Sequence, residues 1–205
     1  MPARDDIRPL LAADVLAYGE RVPVYVWTIE HPDGLVLVDT GMIDSHPEVE
    51  EEWRPRPYPL PAGLVARVAL VINTHLHFDH CGGNRLFPGV PIHVQARELA
   101  DARTLPGYTI PEWVDFVGAS YVEYDGEAEV LPGIRLLPAP GHTDGHQVVV
   151  VDTSDGPCAL AGDVAYSFRE LGGGATDGQR RVLELGALTW LAHVPEPKVP
   201  EYRPG

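Results

Sequence analysis

The sequence predicts a mixed α/β fold with more strand than helix. Three observations carry this expectation. Short runs rich in β-branched and aromatic residues recur along the 205 residues. Twenty-one glycines and 21 prolines punctuate those runs at a density that marks many turns between short elements. Helical spacing of apolar residues emerges only near residues 95–103 and 176–191. With 44% hydrophobic and 22% charged residues, and no repeat or linker that would split the chain, residues 1–205 are expected to form one domain.

The elements follow in order. Arg21–Ile29 (RVPVYVWTI) is strand-like, His31-Pro32-Asp33-Gly34 supplies turn chemistry, and Leu35–Val38 resumes the apolar pattern, which together predict a β-hairpin. Residues 43–63 carry no period and hold five prolines, so a long surface loop is expected. Val68–Asn73 reads as a strand covered on both faces, and Pro91–Val94 as another. Gln95–Arg103 places Ala96, Leu99 and Ala100 at helical spacing. Ser120–Tyr124, Ile134–Leu137, Gln147–Val151 and Pro157–Ala161 read as four further strands, with Val148–Val151 in a buried central one. Thr176-x-x-Gln179 forms a capping-box pattern ahead of Leu183, Ala187, Trp190 and Leu191, predicting a last helix with those residues on one face.

Charge and cysteine content narrow the function. Fifteen Lys and Arg against 30 Asp and Glu give a net charge of −15, which argues against nucleic acid or an anionic membrane as partner. No apolar run approaches the roughly 20 residues of a membrane span. Charges at Arg4, Asp5 and Asp6 stand where a signal peptide would be apolar, so a cytoplasmic protein is expected. Cys81 and Cys158 cannot build a disulfide framework.

The nine histidines require a chemical account. Thr74–Gly83 reads THLHFDHCGG and sets His75, His77, Asp79 and His80 directly after a predicted strand. Imidazole and carboxylate are the ligands that zinc and similar divalent ions accept. In extended backbone the side chains of His75 and His77 would face one way. The chain would then turn at its two glycines, leaving Asp79 and His80 for a second ion. His142, in the Gly/Pro-rich turn PAPGHTDGH, Asp163, after the strand Pro157–Ala161, and His193, after the last helix, also end elements and are candidates to converge on one sheet edge.

His75-x-His77-x-Asp79-His80, His142 and Asp163 resemble the ligand signature of the metallo-β-lactamase superfamily, and Leu37-Val38-Asp39-Thr40-Gly41 resembles the strand-turn that supports its metal loop. The resemblance implies a four-layer αββα sandwich and a site for two Zn2+ ions per chain, with other divalent metals as alternatives. It implies His75, His77 and His142 at the first ion, Asp79, His80 and His193 at the second, and Asp163 bridging them. Val194 follows His193 where relatives usually carry Asp. His146, His93, His31 and His46 are expected to be structural or exposed, and Cys81 not to be a ligand.

Two ions about 3.5–4 Å apart polarise water toward hydroxide near neutral pH and stabilise charge on attacking and leaving oxygens. That chemistry fits a metal-dependent hydrolase acting on an ester, thioester, lactone, β-lactam or phosphodiester. Tyr166, three residues after Asp163, stands as in the N-acyl homoserine lactonases, the quorum-quenching group of this superfamily. Val38–Met42, Leu76–His80, Gly141–Thr143 and Val199–Tyr202 are similar to that group as well. The resemblance implies attack of a metal-bridging hydroxide on the lactone carbonyl, with Tyr166 as hydrogen-bond donor and Asp79 as general acid. Zinc β-lactamases generally lack the equivalent of Asp163. Glyoxalase II enzymes add a basic helical region, whereas only Lys198 and Arg203 are basic after His193. Hydrolysis of small carboxylic esters or thioesters remains a second reading, and a non-catalytic metal-binding domain a third. Trp53 and Tyr58 in 43–63, and Tyr108, Trp113 and Phe116 in 104–118, either rim an apolar cleft or pin these loops to the core. The chain is expected to be a monomer or homodimer.

Overall fold

The computed structural model describes residues 2–17 and 19–202, so Arg203 lies outside the described residues. Strands β1 (Ile7–Ala17) and β2 (Glu20–His31) form a long antiparallel hairpin, and β3 (Gly34–Val38) pairs antiparallel with β2. At Gly34, φ is +127° and a Cβ would fall 2.5 Å from that of Ala69, so both conformation and space demand glycine there. Next come α1 (Pro47–Trp53), the two-residue β4 (Arg56–Pro57), α2 (Ala62–Val65), β5 (Val68–Ile72), α3 (Phe78–Cys81), β6 (Pro91–Gln95) and α4 (Ala96–Thr104). They are followed by α5 (Pro111–Val114), β7 (Ser120–Tyr124), β8 (Ala128–Leu131), β9 (Ile134–Pro138), β10 (Gln147–Thr153) and β11 (Gly156–Leu160). The last elements are α6 (Phe168–Gly173), α7 (Asp177–Leu185) and β12 (Leu188–Trp190).

Seven strands form one sheet in the order β4-β1-β2-β3-β5-β6-β7, and five form a second in the order β12-β11-β10-β9-β8. Alternation along β10 explains how the sheets face each other. Val149 and Val151 enter a core with Trp27, Ile29, Val36, Val38 and Ile72 of the first sheet. Val148 and Val150 point the other way, onto Leu171 of α6 and Val182 of α7. The outer face of the large sheet is covered in turn by α2, and by Leu99 and Ala102 of α4 with Val114 of α5. The four layers are thus helix, sheet, sheet, helix, as expected. No helix among the described residues is long and apolar enough to cross a membrane.

Several sequence expectations need correction. Residues 43–63 are not one irregular loop. The His46 ring accepts from the Glu48 N–H, Pro47 opens α1, and Arg54 at φ +41° ends it. The capping box at Thr176 and Gln179 forms, but α7 stops at Gly186, whose φ of +57° closes the helix. Trp190 therefore lies in β12, paired in parallel with Leu160, and not on a helical face with Leu183. His193 accordingly follows a strand. Helix α4 is present, but its buried residues are Glu98, Leu99, Asp101 and Ala102, and Ala100 is exposed. The strands β1 and β8 have no counterpart in the sequence reading.

Candidate metal centre

Strands β3, β5, β9, β11 and β12 end at the same edge of the sandwich, and the loops that follow them carry Asp39, His75–His80, His142, Asp163 and His193. Parallel pairing of β3 with β5, and of β11 with β12, is what sends these loops to one side. His75 and His77 lie beyond the end of β5, in irregular backbone, with rings 4.7 Å apart. Asp79 and His80 come from the single turn of α3. The glycines after it serve close packing rather than an unusual backbone: a Cβ on Gly82 would meet Trp113 at 2.9 Å, and one on Gly83 the Thr40 carbonyl at 2.4 Å.

Three groups have ligand atoms within 4.8 Å of one another: His75, His77 and His142; His75, His80 and Asp163; and Asp79, His80 and His193. Asp163 joins them. Its Oδ1 is 3.2 Å from His80 Nε2, and its Oδ2 is 3.6 Å from His142 Nε2 and 3.0 Å from His193 Nε2. His142 Nε2 is 3.0 Å from His77 Nδ1. All seven sequence-predicted ligands are therefore brought together.

The far sides of the rings fix their orientation. His80 Nδ1 donates to Asp39 Oδ2 at 2.9 Å and His193 Nδ1 donates to the Pro23 carbonyl at 2.7 Å, so both turn Nε2 inward. Asp39 itself sits at φ +57°, a region sparsely used by non-glycine residues. Its carboxylate also takes the Thr74 N–H and hydroxyl, each at 2.7 Å. Inside the cluster, His75 Nε2, His80 Nε2 and Asp163 Oδ1 are buried without a hydrogen-bond partner. Leaving a buried polar atom unpaired costs about 1–3 kcal/mol. Divalent ions held by the cluster would satisfy all three, and the donor set of imidazoles and carboxylates fits such ions.

Electrostatics divide the histidines. Burial and neighbouring imidazoles hold His75 well below the ordinary range, and burial with His142 pushes His77 down to about 4. These rings are neutral near pH 7, the form that binds metal. Burial is the largest single influence on His80 and His193 and opposes their charge, but Asp163 and Asp79 together, joined by Asp39 at His80, outweigh it, and their pKa values rise. Burial would raise Asp163, yet His193 and His80 hold it well below the carboxylate range.

The remaining histidines behave as expected. His93 meets the Tyr124 hydroxyl, His31 the Pro132 carbonyl, and His46 caps α1. His146 is fully buried behind His75, ring centroids 5.3 Å apart, and burial pushes it down to about 3. The Cys81 thiol, raised to about 12 by burial, donates to the Leu76 carbonyl and turns away from the cluster.

A cleft of about 520 Å³ opens above the cluster. His77, Asp79, His142, Asp163 and His193 line it, with Tyr166 beside them. The Tyr166 ring stacks on His193 at 5.4 Å, and its hydroxyl is 3.5 Å from His142 Nδ1. Trp53 and Tyr108 line the cleft, as one alternative held. Trp113 is instead buried behind it, Phe116 packs under the large sheet, and Tyr58 bonds Asp14. The apolar wall formed by Val15, Ala17 and Val22 of β1 and β2 went unseen in the sequence.

The fold and this cluster of histidines and aspartates at one edge define a metallo-β-lactamase-type protein. The chain belongs to the metallo-beta-lactamase superfamily, whose family model matches residues 19–185. It is 34% identical over 171 residues to an N-acyl homoserine lactonase of a Bacillus species, a match covering 71% of this chain and 65% of that lactonase. A second N-acyl homoserine lactonase, from Bacillus cereus, is 33% identical over 165 residues, with the same coverage. A solved quorum-quenching N-acyl homoserine lactone hydrolase superposes with a TM-score of 0.74 at 24% identity, covering 94% of this chain and 93% of that one.

Proposed function

We propose that this protein is a dizinc lactone hydrolase with N-acyl homoserine lactones as substrates. The observation that carries the reading is Tyr166, stacked on His193 beside Asp163 at the floor of a cleft with an apolar wall. In this reading His75, His77 and His142 would hold one ion, Asp79, His80 and His193 the other, and the Asp163 carboxylate would serve both. When bound, the ions supply Lewis acidity toward a carbonyl and a water acidified to near neutral pKa.

The chain's own residues do the rest. Tyr166, 40% exposed and facing the cleft, donates its hydroxyl proton to a lactone oxygen as negative charge grows there. One such donor is worth about 2.7–4 kcal/mol. Asp79 lines the same cleft and carries a proton to the departing alkoxide, so that ring opening yields an alcohol and a carboxylate. Val15, Val22, Val49 and Trp53 flank the acyl chain and exclude water from it. The Bacillus lactonases support the substrate class.

Ring opening releases a proton, so acidification in weak buffer reports turnover. Zinc-loaded protein should acidify an N-acyl homoserine lactone solution, and chelator-treated protein should not. Silence from protein shown to hold two ions would refute the lactone assignment. A panel of small esters and thioesters would then decide whether another hydrolase, or a protein that only binds metal, stands in its place.

A further inference from the structure

Glu98, on α4, belongs to none of the groups able to hold an ion among the described residues, yet it is fully buried and bonded to the loops that carry one of them. Its Oε1 accepts from the Leu76 N–H at 2.7 Å and from the Tyr108 hydroxyl; its Oε2 accepts from the Thr143 hydroxyl at 2.6 Å. Leu76 lies between His75 and His77, and Thr143 follows His142. One carboxylate therefore ties together the two loops that deliver the whole three-histidine group. Tyr108 extends the connection to the cleft, since its ring is 5.0 Å from that of His77.

A separate feature shows how closely the loops are fitted. A Cβ on Gly145 would lie 2.2 Å from the Glu98 backbone nitrogen and 2.4 Å from its Cα. The loop bearing His142 thus rests directly on α4, at the residue whose side chain grips it. The Asp79–His80–His193 group is anchored elsewhere, by Asp39 at His80 and the Pro23 carbonyl at His193. Hydrogen bonds to a carboxylate are stronger and more directional than neutral ones, so this is a stiff anchor.

We propose that Glu98 is a positioning residue that sets the three-histidine group and leaves the second group untouched. The inference rests on the ligand assignment proposed above but not on the substrate. Loss of an outer partner of a metal ligand typically costs about 10–100-fold in metal affinity.

The test is competition between a chelator and metal-loaded protein, titrated with cobalt(II) alone, for wild type, Thr143→Val, Glu98→Ala and Glu98→Gln. Thr143→Val and Glu98→Ala should weaken one ion by about 10–100-fold and shift the other by less than about twofold. The weakened ion should be the one lost in His142→Ala and kept in His193→Ala. Glu98→Gln should rescue the effect, because its amide oxygen still accepts from Leu76 and its NH2 can donate to Thr143. If Glu98→Ala fails to fold, Thr143→Val and Glu98→Gln still decide the matter. Equal weakening of both ions, no weakening in Thr143→Val, or a wild type that binds only one ion would each overturn the proposal. A wild type that holds two ions yet opens no lactone would sink the lactonase reading alone.

Discussion

His193 Nε2 lies 3.0 Å from Asp163 Oδ2, although the next residue, Val194, offers no carboxylate to orient the ring. The Pro23 carbonyl of β2 holds the ring's other nitrogen, so a main-chain oxygen does the orienting. His193→Ala should therefore remove one ion from the protein while the three-histidine ion stays. Elemental analysis after dialysis should fall from two ions per chain toward one. Two retained ions would exclude His193 as a ligand.

Asp39 orients His80 as Glu98 orients the histidines on the other side. Asp39→Asn keeps the size but replaces one acceptor oxygen with a donor facing either Thr74 or His80. Metal affinity should fall by about 10–100-fold, at the ion that His193→Ala also disturbs. Chelator competition measures this, and unchanged affinity would contradict the role.

Tyr166 is more exposed than any proposed ligand and lines the cleft, and phenylalanine keeps its ring stacked on His193 while removing only the hydroxyl. Tyr166→Phe should leave both ions and the melting temperature unchanged. Its kcat should drop by about 10²–10³, the loss seen when one oxyanion donor is deleted, with KM little altered. A rise in KM at constant kcat would make Tyr166 a binding contact instead.

Trp53 packs against Phe78, ring centroids 5.6 Å apart, and lines the cleft. Trp53→Ala should weaken long-chain substrates more than short ones, at about 0.8 kcal/mol for each methylene no longer buried. A KM series over acyl length checks this. A uniform change at every length would place the chain elsewhere.

Glu98 also supplies a pH signature. Burial raises its carboxyl above the ordinary 4.5, against hydrogen bonds from Thr143, Tyr108 and Leu76 that lower it. The folded protein thus holds this proton more tightly than the unfolded chain. The stability that follows is complete below pH 4.5 and is lost as pH rises through the folded pKa. Glu98→Gln has no proton to lose. Its Tm relative to wild type should climb as pH increases from 4.5, and a flat or falling difference would refute the shift.

Much of the site was legible because its signals are local. His75, His77, Asp79 and His80 stand within six residues, and the strands ahead of them show in runs such as VALVI and QVVVV. Residue type and close spacing are properties of the chain alone, and they suffice to mark a candidate metal site. Other features depend on which strands become neighbours. Trp190 continues an apparent helical face in the sequence, but Gly186 ends the helix and β11 offers an edge for pairing. Glu98 reads as an ordinary polar position on a short helix. Its importance arises because Leu76 and Thr143, 67 residues apart in sequence, meet over α4. The cleft wall likewise comes from a β1–β2 hairpin whose residues carry no functional mark. The residue types of the candidate metal turn at His75–His80 were therefore legible in short-range pattern, whereas the convergence of His142, Asp163 and His193 on that turn, the anchoring of the rings and the shape of the cleft arose from long-range packing of sheets and loops.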